Sequence, residues 1–190
     1  MVKVFMHTSF LKQAERISAL YNEEEDALLL GMLGQEYVIR HNGVYLHGQQ
    51  APETHSSIVL DYLSSSGTTL SMIPWRTIGD VSRQSSQDFR KRVELPISNY
   101  AMDIITRANT ILPMVDAETT PSLIGSDMAI TVRALPKVNL HVELYQETQD
   151  FPAEAWVLFS YNADQFLPAP SLHMLAEMFK DRLLSLLRIY

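Results

Sequence analysis

Met128-Ala-Ile-Thr-Val-Arg133, Val138-Asn-Leu-His-Val-Glu-Leu144 and Ala155-Trp-Val-Leu-Phe159 are the runs whose reading decides the fold. The first two alternate apolar and polar residues, the period of a half-buried strand. Leu135-Pro136-Lys137 separates them as a turn. The third is apolar at every position, the pattern of a strand covered on both faces. Three neighbouring strands forming the middle of a sheet follow from this. Downstream, Ser171 through Leu187 places Leu172, Leu175, Phe179, Leu183 and Leu186 on one stripe, with Met178 beside it. Such a helix buries its stripe most simply across the sheet, with Ser171 as its cap.

The first half adds helices and a hairpin. Ser9–Tyr21 has helical spacing at Phe10, Ala14, Ile17 and Tyr21, and the acidic run Glu23–Asp26 reads as a solvated linker. Ala27–Leu33 reads as a buried strand. Asn42-Gly43 between two alternating runs predicts a two-residue hairpin, with Ile39 opposite Leu46 and His41 opposite Val44. Tyr37, Ile39, His41, Val44 and Leu46 then share a face, and His41 and His47 point apart, so one metal cannot take both. Pro52–Ser65 is a second helix with Gly67 after its end, and its His55 reads as a packed or edge histidine. Thr68–Trp75 reads as an edge strand. A short helix capped by Ser85 carries Arg90-Lys91-Arg92, with Arg76 and Arg83 nearby, and Ile97–Leu112 is an amphipathic helix ended by Pro113. Met114–Ser126 has no period and reads as a surface crossover.

The chain has 190 residues, 46% hydrophobic and 19% charged, which suits one globular domain over residues 1–190. At this length folding buries roughly 70% of the unfolded surface, so no covalent staples are needed. Cysteine is absent, which removes disulfides, thiolate nucleophiles and cysteine-held clusters. A net charge of −7 argues against binding to nucleic acid. No apolar run is long enough to span a bilayer, and His7, Thr8 and Ser9 interrupt any signal core, so a soluble, cytoplasmic protein without a membrane partner is expected.

Motifs of chemistry are missing. No Gly-x-Ser-x-Gly elbow, phosphate-cradling glycine loop or His-Glu-x-x-His occurs, and no catalytic, metal-ligating or cofactor-holding set is assigned. His141 and Glu143 stand two apart on a strand and share a face with Asn139. Solvent-facing polar rows are the commoner arrangement. If a ligand binds that face, His141, Glu143 and Arg133 of the preceding strand are its contacts. A second ligand-binding set is Arg90 and Arg92, suited to a small anion.

Ala134-Leu135-Pro136-Lys137-Val138, Asp150-Phe151-Pro152-Ala153, Leu158-Phe159, Leu167-Pro168 and Leu172 through Glu177 resemble the C-terminal half of an uncharacterised bacterial and archaeal family, the domain of unknown function numbered 3786. Gly34–Val38, Asp61-Tyr62-Leu63 and Phe89-Arg90 extend the likeness. Some relatives carry a cysteine-rich iron–sulfur segment, and the resemblance does not transfer that role to a cysteine-free chain. Members tend to have an acidic pair before the Phe-Pro and an aspartate after the Leu-Phe; Gln149-Asp150 and Ser160 stand here.

The sequence therefore predicts an α+β fold, a mainly antiparallel sheet with helices packed on it, including a long C-terminal helix. Its first functional expectation is a noncatalytic accessory or protein-interaction protein, with a homodimer or a protein partner. The alternative is a protein that binds a small molecule or anionic cofactor. An enzyme built on His141 and Glu143 ranks third.

Overall fold

The computed structural model describes residues 8–82 and 86–189. The first helix, α1 (Thr8–Arg16), stops a turn earlier than its spacing predicts. Ser18 adopts a left-handed φ of 62° and the Ala19 amide bonds back to Ala14 O, so the chain leaves as a strand, β1 (Leu20–Asn22). The acidic run is a tight turn rather than a linker. The Asn22 side chain accepts from the amides of Glu24 and Glu25, and Glu25 pairs with Arg40. An antiparallel meander follows: β2 (Ala27–Met32), β3 (Gln35–Arg40), β4 (Gly43–Leu46) and β5 (Gln49–Gln50), in the order β1-β2-β3-β4-β5.

The hairpin register differs from the expected one. Ile39 faces Val44 and Tyr37 faces Leu46, because His41 and Asn42 form the turn and the positive φ falls on Gly43. The displacement is two residues, so the faces survive it: Tyr37, Ile39 and Val44 are still buried together.

Next, α2 (Glu53–Ser64) buries Ile58, Val59, Tyr62 and Leu63 as its stripe predicts. Gly67 does not cap it. A Cβ there would lie 2.5 Å from the Phe166 ring, so glycine serves a close approach. Thr68–Trp75 is irregular rather than a strand. The Asn162 side chain holds it, accepting from Ser71 N and donating to Thr69 O. Short helices α3 (Ile78–Val81) and α4 (Ser86–Phe89) lead into a π-helical turn over Arg90–Glu94, then α5 (Leu95–Ser98) and α6 (Ala101–Ile111). The wide turn sits immediately before Pro96, which cannot donate into an ordinary helical ladder. Ile97, Ala101, Ile104, Ala108 and Ile111 are all buried, although the helix expected to join them breaks at Asn99 and Tyr100. Ser85, Arg83 and the side chain of Phe10 lie outside the described residues.

The second sheet is β6 (Ala117–Thr120), β7 (Met128–Leu135), β8 (Val138–Tyr145) and β9 (Glu154–Phe159), antiparallel in that order. The three predicted runs pair as read. β6 lies in the segment expected to be a crossover and pairs with β7, and the strands of the chain fall into two sheets where one was expected. The sheet's burial inverts one expectation: β9 is an edge strand with Trp156 37% exposed, whereas β8 is buried on both faces. The final helix, α7 (Ala169–Ile189), begins before Ser171, whose hydroxyl instead donates to Asp61 on α2. Its predicted stripe is buried, beside α2 and α6 and in one apolar core with both sheets. Among the described residues, no helix is long and apolar enough to cross a membrane.

The turn after β2 meets the segment after α6 very closely. A Cβ on Gly34, whose φ is +71°, would lie 2.4 Å from Met114 O, whereas Gly48, at φ +76°, has open space. Both positions resist an L side chain through backbone strain, costing about 1–2 kcal/mol. Gly34→Ala should cost about 1–3 kcal/mol more than Gly48→Ala, the range of overpacking. Urea unfolding of the two variants measures the difference, and equal losses would refute the contact.

Candidate functional site

The polar row of β8 is covered, not wet. His141 is 2% exposed and Glu143 is fully buried. Strand alternation puts both opposite the apolar residues Leu140, Val142 and Leu144, as read, but the chain folds over this second face too. The Trp75 ring stacks on the His141 imidazole, 4.9 Å between centroids and 23° between planes. The β6–β7 connection wraps over Glu143, whose carboxylate accepts from Ser122 Oγ at 2.8 Å, Leu123 N at 2.7 Å and Ser126 Oγ. His141 Nε2 lies 2.9 Å from the same carboxylate, and its Nδ1 is 3.4 Å from Thr131 Oγ1. Burial alone would raise the Glu143 pKa, but bonds from Ser126, Leu123, His141 and Ser122 together hold it below the ordinary carboxylate value. Every polar partner of the two side chains comes from the surrounding chain, and a cavity lined by Arg133, Asn139 and Thr131 lies on the same face.

The expected arginines do not converge. Arg133 makes a two-pronged pair with Asp116, at 2.7 and 3.1 Å. Arg90 bonds Glu154 at 3.1 Å, and Arg92 bonds Glu177 at 2.8 Å. Each of these guanidinium groups already has a carboxylate partner.

A different cleft has the chemistry those arginines lack. It measures about 450 Å³ and lies between the start of β3, α2 and the second half of α7. Arg182 of α7 reaches into it. Its Nε donates to Leu33 O at 2.8 Å and its Nη2 to Met114 O at 2.9 Å. No carboxylate pairs with it among the described residues. Burial lowers its pKa, the mark of a cation short of solvent and of a counter-ion. His55 lines the same cleft, with Nδ1 2.9 Å from the Tyr37 hydroxyl. Burial pushes the Tyr37 phenol up to about 12, so it stays protonated and can donate to Nδ1. With the bond in that direction, the His55 proton sits on Nε2 and that N–H is a donor. Burial also lowers the His55 pKa and keeps the ring neutral. Gln35 and Thr54 add neutral polar groups, and Met174 and Met178 an adaptable apolar wall. Two carboxylates also line the cleft: Glu177, engaged by Arg92, and Asp181, engaged by Lys180.

The spacing of α2 predicts a packed or edge role for His55, and no motif of the sequence singles out Arg182. The only local signal was a cation four residues beyond Met178, beside the apolar stripe of α7. Its lack of a carboxylate partner is a tertiary fact. Among the described residues no group of three or more histidine and acidic side chains could hold a metal ion.

A family model described as a domain of unknown function, DUF3786, matches residues 9–182. No curated protein and no solved structure matches the chain.

Two outcomes follow from the buried groups. Glu143→Gln replaces an acceptor oxygen by a donor inside a ring of donors and should cost about 2–3 kcal/mol of stability, read by urea unfolding. Because the folded-state pKa of Glu143 is depressed, its contribution is present above the unfolded-state value and fades as pH falls through the folded one. The variant's stability should therefore fall less than the parent's on acidification. For Tyr37 the sign reverses. Its folded pKa of about 12 exceeds the ordinary value of 10.0, so its contribution is complete below pH 10 and lost as pH rises towards 12. Tyr37→Phe should flatten the alkaline decline measured by circular dichroism; an unchanged slope would contradict the burial of that phenol.

Proposed function

We propose, for a chain that belongs to the DUF3786 family, a noncatalytic role: holding a small anionic molecule in the cleft at Arg182. The observation that carries this is a half-buried guanidinium with two donors spent on main-chain carbonyls and no carboxylate partner among the described residues. A desolvated cation of this kind gains most when an anion completes it, since burial penalises an unpaired charge. The Nε2–H of His55 supplies a second, neutral donor, and Thr54 brings a hydroxyl to the lining; the Gln35 amide nitrogen is 3.1 Å from His47 Nε2. The methionine wall suits an apolar portion of the same molecule. The volume, about 450 Å³, is within the range of small-molecule sites.

Binding rather than turnover is the reading because the imidazole in this cleft is partnered by a protonated phenol. A general base is normally supported by a carboxylate, which raises its basicity, whereas a donated hydroxyl bond does the opposite. The protein-partner expectation is a separate matter, and the Arg182 cleft does not bear on it.

The test is a thermal-shift series with inorganic phosphate, sulfate and small monocarboxylates, each against sodium chloride of equal ionic strength. A ligand at one hundred times its dissociation constant should add about 2.7 kcal/mol to stability. Arg182→Ala would also release two carbonyls, so the informative variant is Ser185→Glu. Ser185 is exposed, lines the cleft and stands three residues from Arg182, so a carboxylate there can pair with the guanidinium from within. This variant should keep its fold and lose the anion response. If no anion exceeds the chloride control, or Ser185→Glu responds as the parent does, the reading fails.

A further inference from the structure

A second cavity, of about 540 Å³, opens on the far end of the second sheet and shares no residue with the Arg182 cleft. Three aromatic side chains line it: Tyr145 at the end of β8, Phe151 in the β8–β9 connection and Trp156 on edge strand β9. Phe151 is 72% exposed and Trp156 37%, so large ring surfaces are left in water without an apolar cover. Scattered exposed rings need no explanation, but three lining one cavity do.

The charged side chains that line the cavity with these rings, Asp127 and Glu154, are both acidic. Glu154 is matched by Arg90, which also lies 6.0 Å from the centre of the Trp156 ring. Asp127 has no cationic partner among the described residues; its carboxylate accepts only the Gln146 amide, at 2.7 Å. The Tyr145 phenol is raised by burial and then by Glu143, Glu154 and Asp127, which together make the local potential negative. The sequence carries the same bias: no lysine or arginine occurs between Lys137 and Lys180, while Glu143, Glu147, Asp150 and Glu154 fall in the strands and turn that build the site. Rings with electron-rich faces beside an unpaired carboxylate attract cations, best those whose weak hydration makes desolvation cheap. Anions are repelled, and a neutral apolar molecule gains nothing from Asp127.

We propose that the cavity formed by Tyr145, Phe151 and Trp156, with Asp127 at its wall, binds a small organic cation of the quaternary-ammonium type. Trp156 already receives one cation, the Arg90 guanidinium, whose charge Glu154 cancels; the ligand takes the place left at Asp127. The site is independent of the Arg182 cleft and of any anion bound there.

Choline is the probe, and 3,3-dimethylbutanol, the same shape without the charge, is its control. Trp156 fluorescence, at constant ionic strength with sodium chloride, reports binding. Choline should give a saturable change with an affinity about two- to fivefold above that of the neutral isostere, the factor that an exposed cation–π contact supplies. Phe151→Leu keeps the apolar bulk and removes the π face, and it should weaken choline by a similar factor while leaving the isostere and the melting temperature unchanged. Asp127→Asn retains an acceptor for the Gln146 amide and should weaken choline alone. Equal binding of choline and the isostere, or unaltered choline binding by both variants, overturns the proposal, as does the absence of a saturable response to choline up to tens of millimolar.

Discussion

Glu143 takes a carboxylate into the interior of a sheet, and the surrounding chain is arranged to satisfy it. Two serine hydroxyls, a main-chain amide and an imidazole converge on its two oxygens. A buried charge without such partners would cost several kilocalories per mole, so the donors have to be present whenever the sheet is closed. This requirement accounts for the path of the β6–β7 connection, which would otherwise have no reason to lie across β8. It accounts as well for β8 being covered on both faces although only one of its faces is apolar. The stacked Trp75 ring completes the cover and fixes the course of the irregular segment after α2.

The same logic, run in reverse, distinguishes the Arg182 cleft. There a charge is brought part-way out of water and its donors meet carbonyls from two separate parts of the chain, the turn after β2 and the segment after α6. Gly34 permits those parts to touch, because any side chain would collide with Met114. Arg182 thus joins the last helix to both halves of the protein while keeping its own charge unmatched. The enclosed pair on β8 meets its own donors; in the cleft, Arg182 meets no carboxylate among the described residues.

Much of the architecture could be read from residue order. Alternation in β7 and β8, the stripe of α7 and the stripes of α2 and α6 are local patterns, and each element forms where its pattern lies. The hairpin after Arg40 kept its faces even though its turn moved, since a two-residue slip leaves a period of two unchanged. Strand β6 escaped notice because Ala117-Glu-Thr-Thr120 has no apolar face: it pairs at an edge and is held by its neighbour's backbone. The β9 run looked fully buried by composition, but composition cannot say which strand of a sheet is last.

By itself the sequence determined the fold class, the adjacency of the three central strands and the placing of His141 with Glu143 on one strand face. These rest on spacing along the chain, which sets direction from Cα at every residue; the family rests instead on the likeness of its motifs and the match over residues 9–182. Tertiary structure alone decided what covers that face, that Arg90, Arg92 and Arg133 each meet a carboxylate, and that Arg182 meets none among the described residues. Whether a charge has a partner depends on residues tens of positions away, Glu154 for Arg90 and Asp116 for Arg133, and no local period encodes such a meeting.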